Sequence, residues 1–365
     1  MTAQRRRAAS AAAPATDPSH ASHDHPSTCD GHCGHDHGHD HDHDHPAHGA
    51  HEPAAPLRLS LYASAGVELR TAAVQRARRR LKALGFAVDV DPSVRARAQR
   101  FAGDDATRVA TLHRIADAAP DIALAVRGGY GSTRLLDAID WPRIARSVER
   151  GTRWVGHSDL TAIQLALLAH TGAPSWHGPM ASEDFGREDP PAEASGPAEP
   201  AVDEVTRDCF VEAMHGELEA VGWRTEAGHD GLQARGLLWG GNLAVLTALL
   251  GTPHWPRQVR GGILFLEDVG EPPYRVERML LQLHQAGVLA RQKAVLLGAF
   301  SGWKPSPIDR GYTLKTVVAH LRQVSGVPIL TGLPFGHVPT KVCLPVGRKA
   351  ELLVEGRDVL LAWGH

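Results

Sequence analysis

Four cysteines in 365 residues are too few and too scattered for a disulfide framework: Cys29 and Cys33 stand near the N-terminus, Cys209 and Cys343 far apart. A reducing cytoplasm is the expected compartment. Net charge is nearly absent too. With 39 Lys and Arg against 41 Asp and Glu, the formal charge is −2, so no global basic field exists to hold a polyanion, and nucleic acid is not an expected partner. Long apolar runs are also missing. The longest stretches, 160–168 and 243–250, fall far short of the roughly 18 residues that span a bilayer, so no membrane partner is expected. Arg5, Arg6 and Arg7 precede small residues at 11–15 in the manner of an export signal, but no Leu/Val-rich segment follows.

What the chain does have is length, enough for about two domains, and an unusual share of histidine. Residues 1–56 hold 12 of the 23 histidines, interleaved with Asp36, Asp40, Asp42 and Asp44, and almost no aliphatic side chains. Such a segment cannot bury enough apolar surface to offset its ordering entropy and is expected to be a disordered tail. His35, His37, His39, His41, His43 and His45, with Cys29 and Cys33 upstream, offer imidazole, thiolate and carboxylate donors suited to Zn or Ni. The tail reads either as a metal-buffering element or as a solvated extension that binds metal adventitiously.

From residue 57 onward, short β-rich runs alternate with amphipathic stretches. Strands are predicted at 57–62, 86–90, 122–126 and 153–155, with helices at 68–84, 105–118, 133–139 and 160–170. This alternation predicts an α/β fold in which residues 57–181 form a Rossmann-like domain around a parallel sheet. The acidic, proline-rich stretch 182–204 reads as a linker. Residues 205–365 read as a mixed α/β domain with a β-rich end: strands near 234–238, 262–266 and 294–297, helices at 243–250, 274–287 and 314–324, and β-rich segments at 342–345, 350–354 and 359–363.

Ligands of open parallel sheets bind beyond the carboxyl ends of the strands, so the loops there are the first candidates for chemistry. After Val126 comes Arg127-Gly128-Gly129-Tyr130-Gly131-Ser132. It reads equally as a tight turn capped by Ser132 and as a loop whose backbone N–H groups could face a substrate oxygen. After Val155 comes Gly156-His157-Ser158-Asp159, a strand–turn–helix elbow that presents Ser158 either as a nucleophile or as an ordinary helix cap. His157 is not the expected base, because neighbouring side chains on extended backbone point to opposite faces. Glu267-Asp268-Val269-Gly270-Glu271 follows a buried strand and can orient a histidine or cap the next helix, and His337 stands in a Gly/Pro loop. These residues supply a serine, carboxylates and histidines, but not their geometry.

Further short segments stand in a fixed order around them: Phe101-Ala102-Gly103, Arg134-Leu135-Leu136, His177-Gly178-Pro179, Gly240-Gly241-Asn242-Leu243, and Tyr274-Arg275-Val276-Glu277-Arg278. Together with Arg127–Gly131, Gly156–Thr161, Leu266–Glu271 and Gly336-His337, this order resembles the LD-carboxypeptidase family of serine peptidases, which comprises muramoyltetrapeptide carboxypeptidases and microcin C immunity peptidases. The resemblance covers residues 57–363 and leaves the tail aside.

The resemblance implies a catalytic triad of Ser158, Glu267 and His337, with backbone N–H groups of Gly128, Gly129 and Asp159 as an oxyanion hole. It further implies a murein peptide as substrate, no required cofactor and a homodimer. Arg127, Asn242 and Arg278 are the candidates for binding the substrate, and each arginine reads equally as the structural partner of a nearby acid. The expected reaction removes the terminal D-Ala of a cytoplasmic murein tetrapeptide during peptidoglycan recycling. The alternatives are immunity to a microcin-like antibiotic by the same chemistry, and a metal-binding protein acting through its tail.

Overall fold

The computed structural model describes residues 55–189 and 201–364. The histidine-rich tail, with its proposed metal ligands, and most of the acidic proline-rich stretch lie outside these residues. In chain order the elements are β1 (Arg58–Tyr62), α1 (Thr71–Ala83), β2 (Ala87–Val90), α2 (Asp105–Ala118), β3 (Ile122–Ala125), α3 (Trp141–Glu149), β4 (Arg153–Gly156), α4 (Thr161–Thr171) and β5 (Ser175–His177). Then follow α5 (Glu204–His215), β6 (Ala220–Arg224), β7 (Gln233–Asn242), α6 (Leu243–Ala248), β8 (Gly262–Val269), α7 (Pro273–Gln285), β9 (Gln292–Ser301), α8 (Leu314–Ser325) and β10 (Ile329–Thr331), closing with β11 (Leu344–Val346), β12 (Lys349–Glu355) and β13 (Asp358–Ala362).

The first sheet has the order β11-β5-β4-β3-β1-β2, in which β1 to β5 run parallel. Its central strand β3 is buried at every position, as expected of a parallel strand covered on both faces. The chain leaves β1 toward one edge and β3 toward the other, so a crevice opens beyond the carboxyl ends of these two strands. The loops across it touch directly: the Gly66 N–H donates to the Gly128 carbonyl at 2.9 Å.

The second sheet has the order β10-β9-β8-β7-β12-β13-β6. β7 to β10 pair in parallel, while β12, β13 and β6 extend the sheet antiparallel from the far side of β7. The expected architecture, a Rossmann-like parallel sheet followed by a mixed α/β region with a β-rich end, is the one observed. Part of that β-rich end crosses over, however, since β11 pairs antiparallel with β5 at the edge of the first sheet. Both sheets belong to one compact unit that starts at Ala54.

Three stretches differ from the sequence reading. Helix α3 was not anticipated, although Asp140 caps it by accepting from the Arg143 N–H at 3.0 Å and Pro142 occupies its first turn. The predicted helix at 133–139 is instead two short 3-10 turns, Ser132–Arg134 and Leu136–Ala138. The start of the expected linker also differs. Residues 181–185 form one π-helical turn in which Ser182, Asp184 and Phe185 are buried, because Phe185 packs edge-on against Phe210 of α5.

Candidate active site

β4 delivers the chain to Ser158 through buried Trp154 and Val155, and α4 carries it away. Between them Ser158 sits at φ +63°, a left-handed conformation that a β-substituted residue adopts only when its surroundings enforce it. This is the geometry of a nucleophile elbow, which pushes a side chain outward at a sharp strand-to-helix turn. His157 turns the other way. Its ring is buried and its Nδ1–H donates to the Gly178 carbonyl at 2.9 Å. Burial first, and the nearby positive charge of Lys341 second, hold its pKa well below the usual histidine value, so it stays neutral.

The glycine loop lies directly over this elbow. A Cβ added to Gly128 would come within 2.9 Å of Ser158 Cβ and 3.0 Å of its Oγ, with the Asp159 nitrogen 3.4 Å away. Only glycine leaves room at 128 for the serine hydroxyl. The two loops are also tied together, since the buried Asp159 carboxylate accepts from the Ser132 N–H at 2.8 Å. Gly128→Ala is therefore expected to displace the Ser158 side chain and lower kcat by about 100-fold. A thermal melt close to wild type would show that the loss is local.

Glu267 lies near the carboxyl end of β8 and is fully buried. There β9 carries an extra residue, since Leu266 pairs with Leu297 but Asp268 pairs with Phe300. Beside this bulge both Glu267 and Asp268 reach the same side-chain amide, that of Asn242. Glu267 Oε1 accepts from Asn242 Nδ2 at 3.2 Å, and its Oε2 accepts from His337 Nδ1 at 2.7 Å. Gly336 sits at φ +133°, where an added Cβ would meet Glu267 Cβ at 3.3 Å, so the backbone can bring His337 in this closely.

His337 also lies edge-on to the His157 ring, with centroids 5.0 Å apart, which sets it beside the residue that precedes Ser158. Burial alone would lower its pKa, but the bond to Glu267 and the charges of Glu267, Glu183 and Asp268 outweigh burial and hold it above the usual value. Burial also pushes Asp268 up to about 6. No Ser158–His337 hydrogen bond forms among the described residues. Such bonds commonly tighten only when substrate arrives.

The remaining candidates separate clearly. Asn242 was expected to face substrate, but its amide is taken up by Glu267, Asp268 and the Val245 N–H, and its backbone N–H donates to Thr161 Oγ1 at 3.0 Å. It positions the acids. Arg278 is exposed on α7 and takes no part in these bonds. Arg127 is half-buried beside the loop. One of its terminal nitrogens donates to the Val67 carbonyl at 3.1 Å, while its Nε is buried without an acceptor. His177 is buried edge-on to Phe265 and Phe335, and burial pushes its pKa down to about 3, so it is a neutral core imidazole.

Sequence reasoning missed the strap that carries His337. The Lys341 ammonium donates to Asp184 in the π turn, and both side chains are buried. Thr340 Oγ1 donates to Asp203 at 2.7 Å, and the Lys341 N–H donates to Thr206 Oγ1 at 2.8 Å. The apolar bracket Met180-Ala181 and Phe185 around Ser182-Glu183-Asp184 was the available signal. Lys341→Met strands a buried carboxylate and is expected to destabilise by about 3–5 kcal/mol. A urea titration checks this, and the double variant Lys341→Met/Asp184→Leu should lose less.

The description "LD-carboxypeptidase N-terminal domain" matches residues 60–178, and "LD-carboxypeptidase C-terminal domain" matches residues 235–352. The chain is similar to a probable murein peptide carboxypeptidase of Bacillus subtilis (strain 168), 32% identical over 285 residues that span 78% of this chain and 85% of the relative. The crystal structure of muramoyltetrapeptide carboxypeptidase from Oxalobacter formigenes aligns with a TM-score of 0.75 at 38% identity, covering 84% of this chain and 99% of that one. A more distant relative is the microcin C7 self-immunity protein of Escherichia coli, 25% identical over 66% of this chain and 74% of its own length.

Proposed function

The chain belongs to the LD-carboxypeptidase family, and from that premise we propose that it is a serine carboxypeptidase that removes the terminal D-Ala from murein tetrapeptides. The observation that carries this reading is the 2.7 Å bond from His337 Nδ1 to the buried Glu267, with His337 packed beside the Ser158 elbow. Ser158 is the nucleophile, His337 the general base, and Glu267 the group that fixes the imidazole tautomer and stabilises its charged form.

In the first half-reaction His337 Nε2 takes the Ser158 proton as Oγ bonds to the carbonyl carbon. The oxyanion settles against backbone N–H groups of the Gly128-Gly129 turn and of Asp159. As the intermediate collapses, the C–N bond breaks and His337 hands its proton to the departing amine. Water, deprotonated by His337, then attacks the acyl-enzyme and frees the shortened peptide. The half-buried Arg127 guanidinium beside the glycine loop is suited to hold the carboxylate of the terminal residue.

On this reading the enzyme needs no metal and works as a homodimer on cytoplasmic muropeptides during wall recycling. No helix among the described residues is long and apolar enough to cross a membrane. The similarity to a microcin self-immunity protein supports a second substrate class, an aminoacyl sulfamoyl adenylate cleaved by the same residues. Parallel assays with L-Ala-γ-D-Glu-meso-diaminopimelate-D-Ala and with that adenylate separate the two. Faster release of D-Ala is the expected result, and cleavage of the adenylate alone would transfer the chain to the immunity class.

A further inference from the structure

At the outer edge of the crevice, beyond the carboxyl end of β2, lies a cavity of about 490 Å³ walled by the first half of α1 and by the segment that follows β2. Its charged lining consists of Glu68, Asp89 and Asp91 on one side of the balance and Arg78, Arg95 and Arg97 on the other. Two of the three acids are already satisfied. Asp91 receives two bonds from the Arg114 guanidinium, at 2.9 and 2.7 Å, and Glu68 accepts from the Arg70 backbone at 2.6 Å and from its side chain at 3.2 Å.

The arginines are not satisfied. Among the described residues, the side chains of Arg78, Arg95 and Arg97 make neither an ion pair nor a hydrogen bond, whereas those of most arginines nearby on α1 and α2 do so. Arg95 and Arg97 are exposed at the rim. Arg78 is half-buried, and its Nε lies in the interior with no acceptor at all. With no carboxylate or carbonyl on any of the three guanidiniums, an oxyanion is the partner their geometry fits best. Against the single unpaired acid, Asp89, the three free guanidiniums leave the cavity net positive.

We propose that this cavity is an oxyanion-binding subsite that takes a phosphoryl or carboxylate group. It communicates with the serine through one short stretch of chain. Glu68 lines its wall, Val67 accepts from Arg127, and Gly66 bonds to Gly128 above Ser158. The site is independent of which bond the serine cleaves.

Calorimetric titration of the full chain with inorganic phosphate, and in parallel with succinate, tests this at low ionic strength, where such contacts are least screened. Wild type and Arg79→Met, which changes an exposed α1 arginine outside the lining, are expected to bind an anion in this cavity equally. Arg95→Ala/Arg97→Ala should weaken binding by about tenfold or more, and so should Arg78→Met. The two titrants distinguish a phosphoryl guest from a carboxylate. Equal affinity in wild type and in both cavity variants overturns the proposal, and so does weakening by Arg127→Met alone, which would place the anion at the catalytic centre. The readout is binding, so a chain that cleaves no peptide refutes the carboxypeptidase reading and leaves this one standing.

Discussion

Ser158→Ala is expected to reduce tetrapeptide turnover by a factor on the order of 10⁶, because the nucleophile of a triad acts as one unit with its base. The fold should survive the change. The Ser158 hydroxyl makes no hydrogen bond that organises the elbow, and the turn is held instead by the Ser158 and Asp159 carbonyls on the Thr161 N–H, by Asp159 on Ser132 and by Asn242 on Thr161. Circular dichroism and the melting temperature should match wild type. A residual rate above background would reflect what the backbone donors and binding contribute without the hydroxyl. Turnover near wild type would remove Ser158 from the mechanism.

Glu267→Gln should cost about 10⁴-fold in kcat while leaving the shape of the site nearly unchanged. The amide can still meet His337 and Asn242, but it removes the charge that stabilises the imidazolium and lets the wrong tautomer form. The pH dependence carries the second half of this prediction. In the folded protein His337 has a raised pKa, so the neutral imidazole needed as base accumulates only above that value, and kcat/KM should climb as pH rises through it. Without the Glu267 charge the climb should move to lower pH. The sign for stability is opposite: the His337–Glu267 pair contributes fully below the ordinary histidine range and loses its contribution as pH rises through the raised pKa. An unmoved limb in Glu267→Gln would mean that another group titrates.

Much of this arrangement was legible in the sequence wherever chemistry is local. α2 runs from Asp105 to Ala118 as its apolar spacing predicts, and the elbow at Ser158 follows from a short buried strand running into an apolar helix. Ser158, Glu267 and His337 were each visible as residues in suitable loops. The resemblance grouped them as a triad, but spacing alone could not, because His337 and Glu267 are 70 residues apart in the chain.

The strap from Lys341 to Asp184 was hidden for a similar reason, bridging 157 residues of chain. It was obscured further by composition: residues 182–185 were averaged with the acidic, proline-rich run after them, although Phe185 is fully buried. Asn242, legible only as one candidate for binding the substrate, is bonded here to two buried carboxylates, a link that no local pattern reports.

The covalent intermediate is the most direct point at which to test the whole arrangement. Wild type and Ser158→Ala, each with chelator present, would be mixed with the tetrapeptide, quenched in acid within the first turnovers and mapped by mass spectrometry. The account predicts an adduct of substrate minus its terminal residue on the peptide containing Ser158, found in wild type only, together with free D-Ala. Release of D-Ala at the wild-type rate by Ser158→Ala, with no adduct on that peptide in either protein, would contradict it.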